Sequence, residues 1–350
     1  MKITSIGIGR LLRKATKRCL SGVFLLILGL YATVFNKRIA IIASLAGNLG
    51  NRLFLFSNLI GFAIENKLEL MNPAFYDYAG CFETTRNDFF CRYPPRSSIF
   101  SKQGPRAGKF FLSLVSTAAA MVRRLPENRF VCVFALDSLE NRINLDNENF
   151  IKKISGKKVM FFQGWLFLDQ KNMVKYSHQI RRYFTPAETF RDSIDLPVKT
   201  LGKSCDVIFG LVIRRGAYKW WCDGKYFFSL DTYVQWMHEM RGCFPEKKVG
   251  FFICSDENLD EANFAGFTFV FRARHDLENR YSLAQCDYIV SAPSTYGGWA
   301  AFYGNVPMNI LSSPQQHMSL VDFRRIENHT DLRDSALSTD IDVTERVSAF

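Results

Sequence analysis

Two adjacent arginines, Arg214 and Arg215, stand at the end of an apolar run and directly precede Gly216. The run, residues 206–214 (DVIFGLVIR), predicts a buried strand, and ligands of open parallel sheets bind just beyond the carboxyl ends of the strands. A guanidinium at that point can bind a phosphate through two parallel hydrogen bonds. We therefore expect Arg214 and Arg215 to bind a phosphate group; a surface ion pair is the alternative.

Two further polar pairs follow predicted strands in the same half of the chain. Ser255 and Asp256 follow the run VGFFIC, and Ser294 and Thr295 follow the run YIVS shortly after it. The first pair could bind a phosphate and a ribose or base, and the second, at a helix start, could bind a phosphate. For both pairs the alternative is helix capping. Together with the arginines, these strand ends would supply the set of groups that a nucleotide diphosphate needs in one crevice.

A glycine-containing loop lies between the first predicted strand of the chain and the helix after it. It comprises Gly47, Asn48, Gly50 and Asn51 around Leu49. Glycines let a backbone approach a ligand closely, and a helix N-terminus offers N–H groups to an anion. The pattern is not GxGxxG, and no acid follows at the spacing of a dinucleotide site. A plain tight turn is therefore the alternative.

Alternating apolar runs and helical periodicities predict an α/β protein. In the first half, the predicted strands are 38–44, 129–135 and 158–163, the helices are 53–67 and 173–184, and residues 71–128, which include Pro73, Pro94, Pro95 and Pro105, form a loop-rich stretch. The second half repeats the alternation, with Ser229 as an expected N-cap. Its predicted strands are 206–214, 249–254, 267–271 and 288–291, and its helices are 230–240, 276–286 and 296–303.

These patterns predict four parts. Residues 1–37 form a basic N-terminus with a hydrophobic helix, residues 38–195 a first lobe, residues 196–330 a second lobe, and residues 331–350 a flexible polar tail. The boundary between the lobes is placed in residues 186–203, because they lack strong periodicity.

The net charge of +12 is concentrated at the N-terminus. Residues 1–38 carry eight Lys or Arg and no acid, which leaves +4 for the other 312 residues. A nucleic-acid binder is expected to spread basic charge over its folded surface, so we expect no nucleic-acid partner. The charge flanks residues 19–35, an uncharged apolar run, and this combination is typical of a segment at an anionic membrane surface.

We expect residues 19–35 to be a membrane anchor that spans the bilayer or lies in its interface. A secretory signal and a helix buried against the domain are the alternatives, although bulky Val34 and Phe35 argue against a cleavage site. Basic residues on both sides of the run leave its orientation open. The folded domain would be cytosolic in a bacterial protein and in the Golgi lumen in a eukaryotic one.

Nine cysteines form no CxxC pair and no zinc-type spacing. Cys254 and Cys286 lie in apolar segments, where a thiol behaves as a small hydrophobe. We therefore expect a mostly reduced chain, which favours the cytosolic side, and no metal site.

The quoted segments and others near them resemble the glycosyltransferase family 11 type of bacterial α-1,2-fucosyltransferase, within the superfamily of enzymes that use GDP-fucose. The resemblance covers residues 39–310, and its specificity comes from the shared order and spacing of short motifs. The family has GGLGNQMF, HxRRGDY, FxIFSDD and NSSFSWWAA where this chain has GNLGNRL, VIRRGAY, FFICSD and PSTYGGWAA. The segments FQG and IRRYF, and Asp276-Leu277 with Cys286, also match.

The resemblance implies a GT-B fold, with two Rossmann-like lobes and a cleft between them, the acceptor mainly in the first and the donor mainly in the second. It implies GDP-fucose as donor substrate, a glycan acceptor, no metal or other cofactor, and inversion by one direct displacement to give an α-1,2 linkage. Arg214 would take the leaving phosphate, with Arg215 supporting it. The other implied donor-binding residues are Ser294 and Thr295 for the diphosphate, Ser255, Asp256 and Asp276 for the nucleotide, and Gly47, Asn48, Gly50 and Asn51 facing the donor from the first lobe.

Three positions differ from the family pattern: Val212 replaces a His, Ala217 replaces an Asp, and Gly298 replaces one of two tryptophans. The loss of polar groups near the donor is compatible with a different donor, slower turnover or no activity. The alternatives are therefore a transferase for another nucleotide sugar, and a weak or inactive member that serves as a nucleotide-binding or scaffolding subunit in glycan assembly. A membrane-surface protein without a nucleotide site is a third alternative.

Direct displacement also needs a base that takes the proton of the acceptor hydroxyl. Asp223, in the loop after the arginines, and Asp77 and Glu83, in the first-lobe loop, are the candidates. Each is equally compatible with a solvated loop acid.

Overall fold

The structure is a computed structural model that describes residues 5–96, 104–136, 141–273, 275–327 and 331–332. The chain divides into two compact units, Met1–Ala187 and Glu188–Phe350. All of the predicted tail, residues 331–350, except Asp331 and Leu332, lies outside the described residues.

The first unit is built on a five-stranded sheet with helices on both faces. Its strands are β1 (Ile39–Ile42), β2 (Glu69–Met71), β3 (Arg92–Tyr93), β4 (Val131–Ala135), β5 (Ile143–Asn144), β6 (Val159–Gln163) and β7 (Phe167–Leu168). Its helices are α1 (Ser5–Val34), α2 (Leu49–Glu65), α3 (Pro105–Val122), α4 (Glu148–Ile154), α5 (Gln170–Lys175) and α6 (Ser177–Tyr183). The strand order is β3-β2-β1-β6-β4, parallel except for β3, and β5 pairs separately with β7.

Both faces of this sheet are covered, as a mostly parallel sheet requires. Successive residues of a strand point to opposite faces. Ile39 and Ile41 of β1 pack in one apolar cluster with residues of α1 and α3. On the other face, Phe162 of β6 packs edge-on against Phe62 of α2.

Helix α1 is one of the two helices that cover the first face. Ser21 Oγ donates a hydrogen bond of 3.0 Å to the carbonyl of Leu114 in α3, and Leu28 and Ala32 are buried against the sheet. Its other side is exposed. By length and composition Leu12–Val34 could cross a membrane, a test that buried core helices and signal sequences also pass. The helix therefore combines features of the expected anchor and of the alternative, a helix packed on the domain.

The second unit contains a six-stranded sheet. Its strands are β8 (Val207–Ile213), β9 (Val249–Ser255), β10 (Thr268–Ala273), β11 (Tyr288–Ser291), β12 (Pro307–Ile310) and β13 (Arg324–Arg325). Its helices are α7 (Arg191–Leu201), α8 (Leu230–Gly242), α9 (Asp276–Leu283) and α10 (Thr295–Gly304). The strand order is β10-β9-β8-β11-β12-β13, parallel except for β13 at the edge. Ser229 is the N-cap of α8, as predicted, because its Oγ accepts a 3.1 Å hydrogen bond from Thr232 N.

The structure corrects several expectations about the elements. The stretch 71–128 contains the long helix α3, which begins at Pro105 directly after its N-cap residue Gly104. Proline suits the first turn of a helix, so there it begins a helix instead of interrupting one. The single helix expected over 173–184 is two helices, α5 and α6, separated at Tyr176 (φ −107°, ψ 18°). The stretch 186–203 contains α7, and the boundary placed after residue 195 falls inside that helix.

Candidate functional site

The predicted phosphate-binding side chains follow three neighbouring strands of the second unit. The strand order places β8 between β9 and β11, with Ile213 beside Ser255 and Val212 beside Ser291 in register. The chain runs from β8 outward to β9 and β10, and then continues on the other side of β8 with β11 and β12. The strand order therefore reverses between β8 and β11, and the carboxyl ends of these two strands form the switch point at which open α/β sheets bind ligands.

Arg214, the first residue after β8, is oriented at this switch point by contacts around its guanidinium. Its Nε lies 3.5 Å from Asp256 Oδ2, and its Cζ lies 5.2 Å from the ring centre of Tyr218 and 5.8 Å from that of Tyr296. A guanidinium carries five N–H donors, and Nε is buried and makes no hydrogen bond with the described part of the chain. Two rings and one carboxylate therefore orient the cation at the switch point.

Arg215 contacts a different set of partners. Its Cζ lies 4.6 Å from the ring centre of Phe227, and its Nη1 donates a 3.4 Å hydrogen bond to the carbonyl of Phe228. Its Nε lies 3.8 Å from Glu257 Oε2. The structure thus separates the predicted pair, and Arg214 is the member at the switch point.

Asp256 fixes the backbone of the arginine loop. Its Oδ1 accepts hydrogen bonds from the backbone N–H groups of Arg215, at 2.9 Å, and Gly216, at 3.4 Å. A Cβ added to Gly216 would lie 3.2 Å from Asp256 Oδ2, so the loop packs closely on this carboxylate. Asp256 therefore positions Arg214 and its loop, and its contact with the nucleotide stays a prediction.

The oxygens of both serines predicted to bind the donor accept hydrogen bonds from nearby backbone N–H groups. Ser294 is the N-cap of α10, and its Oγ accepts a 3.2 Å hydrogen bond from Gly297 N. Ser255 is buried, and its Oγ accepts a 3.1 Å hydrogen bond from Glu257 N. The helix-capping alternative is thus present at Ser294, whereas no helix begins directly after Ser255, whose hydrogen bond closes a local turn instead. Ser294 also places the N-terminus of a ten-residue helix, starting at Thr295, beside the end of β8.

Two glycines allow α10 to pack closely on its surroundings. A Cβ added to Gly297 would lie 2.8 Å from the side chain of Ser291, and one added to Gly298 would collide with Leu332. Gly298 is the position at which the resembling family has a tryptophan. In this chain Leu332 fills the adjacent space, so this difference from the family pattern is matched by local packing.

Arg280, on α9, was not selected from the sequence. Its side chain is 3% exposed, Nη1 donates a 3.1 Å hydrogen bond to the carbonyl of Thr295, and Nη2 donates one of 2.7 Å to Asp276 Oδ1. Its Cζ lies 4.3 Å from the ring centre of Tyr296, the ring that also contacts Arg214. Asp276, predicted to line the nucleotide, therefore forms an ion pair with Arg280. The i, i+4 spacing of these two residues was the signal available in the sequence.

Tyr218 connects the arginine loop to the loop that precedes α10. Its hydroxyl donates a 2.7 Å hydrogen bond to the carbonyl of Pro293. Burial raises the pKa of Tyr218 to about 12, and burial also raises the pKa of Tyr296 well above its usual value. Both phenols are therefore neutral at physiological pH, and the rings act on Arg214 as neutral cation–π partners.

The glycine loop of the first unit follows β1 and begins α2. Gly47 has a φ of +54°, and a Cβ there would collide with the side chain of Asn51, so the position requires glycine. Asn48 is the N-cap residue of α2, but its side chain makes no capping hydrogen bond. Arg52 fastens the loop, because its Nε donates a 2.9 Å hydrogen bond to Gly47 O and its Nη1 pairs with Asp77 Oδ2 at 3.2 Å.

The three candidate bases lie in different settings. Asp77 and Glu83, in the first unit, each form an ion pair with an arginine, at 3.2 Å and 3.0 Å. Asp223, in the second unit, is exposed and has a φ of 53°, directly after Cys222 with a φ of 49°. Two consecutive non-glycine residues in the left-handed region are uncommon, and such strain is often found in functional loops.

Among the residues that the structure describes, no group of three or more His, Cys, Asp or Glu is arranged to hold a metal ion. All nine cysteines are free. Burial raises the pKa of Cys254 to about 12, so this residue is a protonated thiol inside the sheet, as its apolar surroundings predict.

No protein-family model and no curated protein matches the sequence. Among solved structures, a mutant of Arabidopsis thaliana FUT1 in complex with GDP is similar, with a TM-score of 0.51 and 14% identity over 83% of this chain and 73% of that chain. POFUT1 in complex with GDP-fucose has a TM-score of 0.45 and 10% identity, over 79% of this chain and 96% of that chain. The NodZ α-1,6-fucosyltransferase soaked with GDP-fucose has a TM-score of 0.46 and 16% identity, over 81% of this chain and 98% of that chain.

The likeness to the FUT1 structure confirms the predicted fold class. The chain has the α/β GT-B fold, with two Rossmann-like lobes preceded by the hydrophobic helix α1.

Proposed function

We propose that this protein transfers fucose from GDP-fucose to a hydroxyl group of a glycan acceptor, with inversion, without a metal ion, and with formation of an α-1,2 linkage. The observation that carries the proposal is Arg214, a cation held by Asp256, Tyr218 and Tyr296 at the switch point of a Rossmann-like sheet. The fold likeness to a structure that contains GDP supports the nucleotide. The order of the sequence motifs supports fucose and the linkage.

The proposed reaction is one displacement. The acceptor oxygen attacks C1 of fucose, the bond between C1 and the β-phosphate oxygen breaks, and a base takes the acceptor proton, so that GDP and the fucosylated glycan leave. Negative charge grows on the departing diphosphate, and a fixed cation stabilises that transition state more than the ground state. Because Tyr218, Tyr296 and Asp256 already orient Arg214, little reorganisation is needed. The N-terminus of α10 adds partial positive charge.

We assign the base role to Asp223. Asp77 and Glu83 are each paired with an arginine, whereas Asp223 is exposed on a strained loop that belongs to the same unit as Arg214. A carboxylate in hydrogen-bond reach of the acceptor hydroxyl would accept its proton during attack.

The test uses the full chain with GDP-fucose and a panel of oligosaccharide acceptors, and measures GDP release and product mass. Asp223→Asn is expected to lower kcat by about 10² to 10⁴-fold and to leave the Kd for GDP unchanged. Glu246→Gln, at another exposed acid of the second unit, is the matched control and keeps wild-type kcat. An unchanged kcat in Asp223→Asn would remove this residue from the mechanism.

A second candidate function, nucleotide binding without turnover, is favoured by one observation. Val212, which is 1% exposed in β8, and Ala217 stand where the resembling family has a His and an Asp. Neither side chain carries a polar group that could contact the donor. Raised thermal stability with GDP, combined with no donor hydrolysis and no transfer to any acceptor, would select this candidate. A larger shift with another nucleotide diphosphate would instead identify a different donor.

A further inference from the structure

We propose that α1 docks the first unit onto an anionic membrane surface while lying in the plane of the interface, and that it does not cross the bilayer. The contact would be made by one exposed apolar side of the helix, called here the docking face. The docking face consists of Leu20, Val23, Leu26, Ile27, Leu30 and Val34.

The docking face lies opposite the packed face of the helix. Successive residues of an α-helix are turned by about 100°, so Leu26 and Leu30 point away from the side that carries Leu28 and Ala32. Leu26 is 76% and Leu30 is 66% exposed, whereas Leu28 is 6% and Ala32 is 0% exposed. A continuous apolar side of this length on a helix that is already packed marks an interaction surface.

The charge beside the docking face identifies its partner as anionic lipid. Arg13, Lys14 and Arg18 are exposed on the turns that precede the docking face, and residues 1–38 contain no acid that would offset them. Basic residues on the polar side of a helix whose other side is apolar are the combination that binds lipid headgroups and acyl chains together. An uncharged protein surface could contact the apolar docking face, but it would not pair with the basic residues.

The packing of α1 favours a helix that lies in the membrane interface over one that crosses the bilayer. Leu28 and Ala32 share an apolar cluster with strands of the sheet, and Ser21 Oγ is bonded to Leu114 O. Only four residues separate the end of α1 from the start of β1, and Lys37 N donates a 2.9 Å hydrogen bond to Ala32 O. A helix that crossed the bilayer would have to leave these contacts and expose one face of the sheet. A helix in the interface keeps them all.

The inference is independent of the donor site, since none of its residues belongs to the second unit. The test is co-flotation of the full chain with vesicles of phosphatidylcholine, alone or with added phosphatidylserine. We expect binding to the anionic vesicles, weak binding to the neutral ones, and release at about 1 M salt, where the Debye length falls to about 3 Å. Bound protein should be extracted by alkaline carbonate, which leaves crossing helices in the membrane.

Two variants test the surface itself. Leu26→Gln with Leu30→Gln is expected to lower vesicle partitioning by about tenfold or more, because the exposed apolar side is lost. Leu196→Gln with Val321→Gln removes two exposed apolar side chains of the second unit and is expected to bind like the wild type. Circular dichroism melting curves confirm that both variants are folded.

Three outcomes would overturn the proposal. They are resistance of the bound protein to carbonate, equal binding by the two double variants, and no binding to either vesicle. A concentration-dependent dimer that Leu26→Gln with Leu30→Gln dissolves, in a protein that binds no vesicle, would identify a second copy of the chain as the partner instead.

Discussion

The two units of this protein use an arginine beside a glycine-containing loop in opposite ways. In each unit the central strand, β1 or β8, is followed by a glycine-containing loop and lies at a reversal of the strand order. In the first unit Arg52 bonds to Gly47 O and pairs with Asp77, so its guanidinium fastens the loop. In the second unit Arg214 is oriented by two rings and Asp256, and its Nε makes no hydrogen bond with the described residues.

The difference shows that an arginine next to a glycine loop does not by itself mark an anion site. Both arginines lie over a tyrosine ring, Tyr78 for Arg52 and Tyr218 for Arg214. What distinguishes them is that Arg52 donates hydrogen bonds to the carbonyls of Gly47 and Ala74 and to Asp77, whereas Arg214 is held by ring contacts and by a 3.5 Å ion pair. The donor phosphate is therefore expected at the second unit.

The largest expected effect comes from removing each arginine in turn. Arg214→Ala should lower the transfer rate by about 10² to 10³-fold, roughly 2.7–4 kcal/mol of transition-state stabilisation, and weaken GDP binding. Arg52→Ala should lower thermal stability and leave the Kd for GDP unchanged, because its partners are within the protein. Calorimetric titration with GDP and initial rates of transfer measure both. An equal loss of GDP affinity in the two variants would contradict the assignment of the donor phosphate to Arg214.

A second effect depends on the packing of α1 on the sheet of the first unit. Leu28→Ala should cost about 2–4 kcal/mol of the free energy of unfolding of the first unit, because Leu28 is 6% exposed between α1 and the sheet. Leu30→Ala, the same substitution two residues along at 66% exposure, should change it by about 0.5 kcal/mol or less. Hydrogen exchange in β1 and β6, compared with β8 and β9, assigns the effect to one unit. A matching loss of protection in β8 would contradict the assignment.

The smallest effect is a pH dependence confined to the first unit. Burial of Glu69 opposes its ionisation, but hydrogen bonds from Tyr31 and Lys37 and the charge of Arg96 outweigh it and lower the pKa of Glu69 below its usual value. A lowered pKa contributes stability at neutral pH that is lost as the pH falls below about 4.5. Tyr31→Phe should cost roughly 1 kcal/mol at pH 7 and make the acid loss of stability shallower.

The matched control for that variant is a second tyrosine–glutamate pair of the first unit. Tyr176 donates a 2.6 Å hydrogen bond to the exposed Glu65, and Tyr176→Phe should leave the pH dependence of urea unfolding almost unchanged. An equal effect of both variants would show that Tyr31 does not stabilise the attachment of α1 to β2.

The strands that form the site could be predicted from the sequence because they are buried on both faces. Most residues of β8 (VIFGLVI) and β9 (VGFFICS) are apolar, and a polar residue stands at the end of each. Arg214 could be identified in the same way, since it is the first polar residue after β8. The N-cap at Ser229 follows from its side-chain chemistry and position.

Other features could not be predicted, because they depend on contacts between distant segments. The role of Asp256 as a loop anchor requires the register of β8 on β9. The contact of Arg214 and Arg280 with one ring of Tyr296 joins three elements. The prolines of residues 71–128 led to the prediction of a loop, although Pro105 begins the helix α3. The contacts of Arg215 and the packing of Leu332 against Gly298 produce no periodic pattern in the sequence, so they could not be predicted from it.

The short connection between α1 and β1 has a practical consequence for producing this protein. Proteins with an apolar N-terminal run are commonly shortened at the end of that run to improve their solubility. Here a chain that begins after Phe35 would lack the helix that buries Ile39 and Ile41, so it would expose a sheet face instead of removing an apolar surface. Substitution of exposed residues such as Leu26 and Leu30, with the helix retained, is the better route to a soluble protein.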